Sequence, residues 1–312
     1  MYGQILSTMG PIGTVLKTLV PTRIKAAVRE HAAMSRSRLN RRLARQPHQT
    51  PPPSHKHPDS PHHSDFVTHM LPHLGRPDGL SPNEVLANAQ ILIIAGSETT
   101  ATLLTATAYF LMTNPGPYER LKEEIRSVFA SLDEITVTAT GVSKLQYLDA
   151  VICEALRMHP PIPTGIHRLA PSPGGVVIDG RWVPGGTDVT AHQWVAYRSE
   201  SYFGEEAHRF IPERWLGVVD VQEEEKKEDD TINGSSSSNN MGNHYHNIDD
   251  INRNGVFNPF SLGPRACMGR GLALAEARLV LARLVWVFDM ELVDESVDWM
   301  DQKTGWCMRS RR

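Results

Sequence analysis

A chain of 312 residues with 40 % apolar side chains is long enough for one large domain or two smaller ones. Its formal charge of −3 lacks the basic balance that nucleic-acid binding requires, so no nucleic-acid partner is expected. Three cysteines, Cys153, Cys267 and Cys307, are too few and too scattered for a disulfide framework or a multi-thiolate zinc site, and they suit a reducing compartment.

The opening stretch MYGQILSTMGPIGTVLKTLV has no early positive charge and is broken by Pro11 and Gly13, so it reads neither as a secretory signal nor as a transmembrane anchor. Residues 1–45 read as a helical region, dense in arginine from Pro21 to Arg45, with either a solvated cationic face or one that meets an acidic surface. Residues 46–65, QPHQTPPPSHKHPDSPHHSD, predict a disordered loop rich in Pro and His. The prolines remove backbone donors and little apolar area offsets chain entropy, while the histidines lack a carboxylate or thiolate at fixed spacing for a specific metal site.

Residues 66–312 are expected to form the core. Ser81 caps a helix, Pro82 takes its first position and Glu84 completes a capping box. The pattern runs unbroken to Met112, about thirty residues or roughly 45 Å. Asn88, Gln90, Glu98 and a run of threonines interrupt the apolar stretch, which favours a buried central helix over a membrane span. YERLKEEIRSVF and LQYLDAVICEALRMHPP are amphipathic helices, the second ended by Pro160. GVVIDGRWVPGGTDVTAHQWVA alternates short β-favouring runs with Gly and Pro turns and predicts a small sheet. Residues 221–255, acidic and then rich in Ser and Asn, predict a disordered insertion.

The stretch NPFSLGPRACMGRGLALAEARL, from Asn258 to Leu279, sets Cys267 between Gly263 and Gly269 and runs into a helix with Leu272, Ala275, Leu279 and Ala282 on one side. The glycines permit tight turns and close approach to a bulky planar partner, and the unpaired amides of the helix start favour a thiolate. Such a cysteine is a nucleophile, a redox-active thiol or a metal ligand. The first use needs an activating base that no local signature assigns. A thiolate as sole protein ligand suits haem iron, with Arg265 available for a haem propionate.

Phe260, Gly263, Arg265, Cys267 and Gly269 resemble the proximal signature of the cytochrome P450 family of haem-thiolate monooxygenases, and Ala273 and Glu276 extend the match into the following helix. AGSETT in the long helix resembles the oxygen-activation motif, with Ala95 and Gly96 facing haem and Glu98 and Thr99 as acid and alcohol. EALR supplies Glu154 and Arg157, and FIPERW supplies Phe210, Pro212, Glu213 and Arg214. Independently of the family, a glycine inside a helix costs about 1 kcal/mol and hints at a compensating contact or simply tight packing. Glu98 and Thr99 beside it are placed to bend the helix hydrogen bonding and lead protons through water, or else form a solvated notch. Glu154 and Arg157 share a helix face and are joined by Arg214 in a structural cluster of two arginines around one carboxylate.

The resemblance implies a mainly α fold with small β-sheets and haem b held by the Cys267 thiolate. It also places Arg168 at a propionate, with His167 a neighbour rather than an iron ligand. O2, an apolar small-molecule substrate and electrons from NADPH through a separate NADPH-cytochrome P450 reductase follow, since the chain has no dinucleotide fingerprint of its own. The wording of YLDAVICEALRMHPPIPTGIHRLAP and VPGGTDV is similar to fungal members of secondary metabolism acting on terpenoid, polyketide or related scaffolds. It further implies peripheral association with the endoplasmic reticulum membrane on its cytoplasmic side. Set against the family, the fold is expected to be incomplete at the N-terminus, without the anchor, the early sheet and much of the substrate roof, and atypical at the C-terminus, where WCMRSRR replaces a final hairpin. The alternatives are therefore a truncated, catalytically silent haem-binding or partner-binding protein and, third, a thiol redox protein without haem.

Overall fold

The computed structural model describes residues 21–44, 65–142, 145–216, 255–294, 299–300, 302–304 and 308–310. Most of the Pro/His loop, the insertion up to residue 254, the first twenty residues and Cys307 lie outside them. The chain divides into two units, residues 1–95 and 96–312.

In the first unit, α1 (Thr22–Ala44) buries Ser35 and Leu39. Arg42 at its end pairs with Asp65 and donates to the Thr68 hydroxyl at 2.8 Å. Asp65 in turn caps the short α2 (Phe66–Met70), accepting from the Thr68 amide at 2.8 Å in a reciprocal capping box. The expected start of the long helix is present: α3 spans Pro82–Thr113, the Ser81 amide donates to the Glu84 carboxylate at 2.8 Å, and the Glu84 amide returns to Ser81 Oγ at 3.3 Å.

α3 is a continuous α-helix, with no bend in its hydrogen bonding assigned at Glu98 or Thr99. By length and composition it is apolar enough to cross a membrane, yet only 22 % of its most apolar 18-residue stretch is buried. The expectation of a buried central helix holds in part: Val85 and Ala89 are buried near its start and more residues toward its end. Thr100, Leu103, Thr107, Phe110 and Leu111 form a buried stripe at helical spacing, whereas Ile91 and Ile94 are exposed. Interior threonines spend their hydroxyls on the preceding turn, as Thr107 does on the Leu103 carbonyl at 2.8 Å.

The second unit is built around α6 (Gln146–Met158), in which every residue from Ala150 to Met158 is buried. Packed on it are α4 (Pro115–Val128), α9 (Arg270–Val287) and the 3-10 turn Pro212–Trp215, while α5 (Val137–Val142) packs on α9. No side chain of its own caps α6. Glu124 of α4 does so instead, accepting from the Tyr147 and Leu148 amides at 2.8 and 2.9 Å. Arg278 of α9 makes a two-point contact with Asp149 at 2.6 and 2.9 Å, fixing α9 along α6. The buried face of α9 is Leu274, Ala277, Leu281 and Val285 with Ala282, not the row through Leu272, which is 60 % exposed. Because α9 is apolar nearly all round, periodicity alone does not choose its inner side.

The sheets are small, as expected. β2 (Gly175–Ile178) and β3 (Arg181–Pro184) form an antiparallel hairpin. The turn Asp179-Gly180 has both φ angles positive, at 49° and 71°, the geometry that suits the twist of a two-residue hairpin. β1 (Arg168–Leu169) pairs with β4 (Asp188–Val189) outside it. Short helices α7 (Gln193–Ala196) and α8 (Glu200–Phe203) follow. Near the carboxyl end β5 (Gln302–Thr304) and β6 (Met308–Ser310) pair as a short antiparallel ribbon.

The arginine–carboxylate cluster forms as the spacing requires. The fully buried Glu154 carboxylate accepts from Arg157 Nε and an Arg157 terminal nitrogen at 2.8 Å each, and from Arg214 Nε at 3.0 Å. It also accepts from the Ile211 amide at 2.8 Å and Trp215 Nε1 at 2.9 Å. Trp215→Phe keeps the ring packing but removes one of these donors from a buried anion. It should lower unfolding free energy by about 1–3 kcal/mol in urea titrations.

His159, at the end of α6, is fully buried between Trp194 and Trp299, and neither ring nitrogen has a hydrogen-bond partner. Burial, with the Arg198 charge nearby, lowers its pKa from 6.5 to about 4. The unfolded state therefore binds this proton at higher pH than the folded state. Stability contributed by the neutral ring is intact above about pH 6.5 and falls by about 3 kcal/mol as pH drops to about 4. His159→Phe should flatten that part of the stability–pH curve, as measured by denaturation at stepped pH.

Candidate active site

The Cys267 loop leaves the core at Phe257, which packs on Tyr197 and Trp215 with ring centroids at 5.2 and 4.7 Å. A turn then brings the Ser261 amide to the Asn258 carbonyl at 3.0 Å. Ser261 and Gly263 both take positive φ, 61° and 69°, and a 3-10 turn, Gly263–Arg265, carries the chain outward. The Cys267 amide donates back to the Phe260 carbonyl at 2.8 Å, closing the loop, and Gly269 forms the N-cap of α9. Phe260, Gly263, Arg265, Cys267 and Gly269 are thus gathered in one closed turn with the thiol exposed at its outer side.

A Cβ at Gly269 would lie 3.8 Å from Cys267 Sγ, an ordinary van der Waals contact, so this glycine stands beside the sulfur without being sterically required there. No side chain caps α9, whose first helical residue, Arg270, lies three residues beyond the cysteine. Within five residues of Cys267 in the chain, Leu262, Met268 and Leu272 are exposed, Met268 at 83 %. An accessible sulfur, a neighbour without a side chain and an open apolar rim fit a flat apolar group bound through one metal atom. Among the described residues no three His, Cys, Asp or Glu side chains gather into a metal cage.

The other sequence-predicted residues lie elsewhere. Gly96, Glu98 and Thr99 follow one another on α3, the first two exposed and Thr99 half-buried, and a Cβ at Gly96 would meet nothing within 4 Å. Ala95, also exposed, is the last residue of the first unit. Arg168 sits in β1, exposed, with its guanidinium donating to the His167 carbonyl at 3.1 Å. His167 Nδ1 meets both Asp188 oxygens at 3.0 and 3.1 Å.

A family model described as cytochrome P450 matches residues 14–311. The chain belongs to the cytochrome P450 family. It is 39 % identical over 242 residues to cytochrome P450 monooxygenase lcsI of Purpureocillium lilacinum, covering 78 % of this chain and 41 % of that protein. It is 38 % identical over 289 residues to cytochrome P450 monooxygenase astA of Talaromyces wortmannii, covering 93 % and 49 %. A trichothecene C-4 hydroxylase of Trichoderma arundinaceum is 39 % identical over 240 residues, covering 77 % and 43 %. The chain thus spans less than half the length of these relatives. The mainly α architecture with small sheets is that expected of a P450 fold.

Sequence reasoning missed Trp215, although it directly follows Arg214 in FIPERW, and it missed the Ser261 backbone. A non-glycine residue at positive φ costs about 1–2 kcal/mol, more than the roughly 0.5–1 kcal/mol of chain entropy that glycine adds to the unfolded state. Ser261→Gly should therefore raise the thermal midpoint slightly. Ser261→Val, β-branched, should lower it, both read by calorimetry.

Proposed function

We propose that this chain forms the haem-thiolate part of a monooxygenase that inserts one oxygen atom from O2 into an apolar small molecule of fungal secondary metabolism. The observation that carries the reading is the closed Cys267 loop, with an exposed sulfur, a glycine against it and an apolar rim. Hydroxylation, the reaction class in the name of the trichothecene relative, is the simplest such insertion.

Haem b would be held through the Cys267 thiolate, in a turn shaped by Phe260, Gly263 and Gly269, and would supply oxygen activation. Arg265 and Arg168 would take the propionate carboxylates as charge-assisted partners. Ala95 and Gly96 give α3 a side without bulk, suited to a planar group. Glu98 and Thr99 would hold and relay protons by way of water. Electrons come from NADPH through a separate NADPH-cytochrome P450 reductase, and the whole protein works at the cytoplasmic side of the endoplasmic reticulum membrane.

The test is haem uptake followed by the reduced carbon monoxide difference spectrum. A Soret band of thiolate-ligated haem is expected, and its loss in Cys267→Ala; failure of the chain to take up haem, or a band that persists in that variant, overturns the reading. With a reductase and a turned-over substrate, Thr99→Ala should divert electrons from product to peroxide.

A further inference from the structure

We infer that Gln193 and Tyr197 are positioning residues for the Cys267 loop, gripping the peptide of Asn258 from which the loop springs. The Asn258 amide donates to the Tyr197 hydroxyl at 3.0 Å, and the Asn258 carbonyl accepts from Gln193 Nε2 at 3.2 Å. The same carbonyl accepts from the Ser261 amide, so the outside grip and the first turn of the loop share one atom. Asn258 Nδ2 adds a third tie, to the Gly255 carbonyl at 2.7 Å.

The bracket is itself anchored. Tyr197 is 1 % exposed, its ring packs on Phe257 and Phe203, and its own carbonyl accepts from Arg157 at 2.6 Å. Gln193 opens α7 and Tyr197 follows its last residue, the Tyr197 amide donating to the Gln193 carbonyl at 2.9 Å. A short polar path therefore runs from the buried Glu154–Arg157 pair through Tyr197 to Asn258, and along the closed turn to the Phe260 carbonyl and the Cys267 amide. Tyr197 is buried and its bond to the Asn258 amide part-buried, so an amide left without this acceptor loses a hydrogen bond that water replaces only in part. The Pro259 ring further restricts Asn258, so the position held by the bracket is passed to the loop with little slack. For its chemical consequence, the setting of the sulfur, this inference rests on the haem-thiolate reading; its geometry does not.

Tyr197→Phe keeps the ring and removes only the hydroxyl, and Gln193→Ala removes the second grip. In the haem-free full chain, amide hydrogen exchange followed by mass spectrometry should show segment 256–268 exchanging roughly tenfold faster in either variant, the scale of one buried hydrogen bond left unmade. Exchange in α6 should stay as in the parent. After haem loading, the thiolate-ligated share of the reduced carbon monoxide complex should fall in both variants. Unchanged exchange in the loop, or equal acceleration in loop and α6, overturns the bracket. If Tyr197→Phe does not fold, Gln193→Ala decides by the same criteria. A parent chain that takes up no haem overturns the haem-thiolate reading while leaving the exchange comparison decisive. A thiolate band in the parent with unaltered loop exchange in the variants overturns the bracket and leaves the haem reading standing.

Discussion

The second unit depends on one buried anion. Glu154 accepts five hydrogen bonds, two from Arg157 and one each from Arg214, Ile211 and Trp215, with none of its side chain exposed. Two arginines against one carboxylate leave a positive excess, and it is spread over backbone carbonyls: Tyr197, Ala207 and Arg209 receive Arg157, and Phe203 and Glu206 receive Arg214. Those carbonyls belong to a stretch with little repetitive structure, which has few backbone ladders of its own. The cluster thus does for residues 197–215 what a sheet does elsewhere: it supplies partners for buried carbonyls. Removing one member of such a group costs about 3–5 kcal/mol, since an uncompensated charge stays behind, so this irregular segment stands or falls with α6.

Cys267 and three large apolar side chains close to it in sequence, Leu262, Met268 and Leu272, are exposed. Burying each of Leu262, Met268 and Leu272 contributes about 1.5–3 kcal/mol, a sum comparable with the net stability of a whole domain. A ligand that covers this rim would therefore contribute to folding as much as to chemistry, since whatever binds only the folded state stabilises it. The loop is fixed by backbone hydrogen bonds together with the packing of Phe257 and Phe260 on the core.

Features set by local physics were legible in the sequence. Ser81 and Glu84 gave the start of α3 and Pro160 the end of α6, and the Gly and Pro turns between β-favouring runs gave the small sheet, because each depends on neighbours within a few residues. Glu154, Arg157 and Arg214 were legible through helix spacing and a short downstream element. The tie between Tyr197 and Asn258 was not, since 61 positions separate them and neither residue type announces a partner. Glu124 capping α6 was hidden for the same reason, its acceptor role being supplied across a helix pair. The inner face of α9 escaped because Leu, Ala and Val occur on all sides of it, so only contact with α4, α5 and α6 selects Leu274 over Leu272.

Burial divides the motif residues into two groups that the sequence presents alike. Glu154 and Arg157 are fully buried, and their polar contacts go to each other, to backbone groups and to the Arg214, Trp215 and Met158 side chains, so they belong to the frame. Cys267, Arg265, Arg168 and Glu98 are exposed and Thr99 is half-buried, which leaves thiol, guanidinium and carboxylate groups free to face something other than the protein core. Gly263 forms a third kind, acting through what it lacks: without a side chain it takes a positive φ. A frame residue tolerates only changes that keep its hydrogen bonds, whereas an exposed one is limited only by what it must meet. The same short motifs therefore carry two separable demands, and the polar path through Tyr197 and Asn258 is where the frame reaches the exposed group.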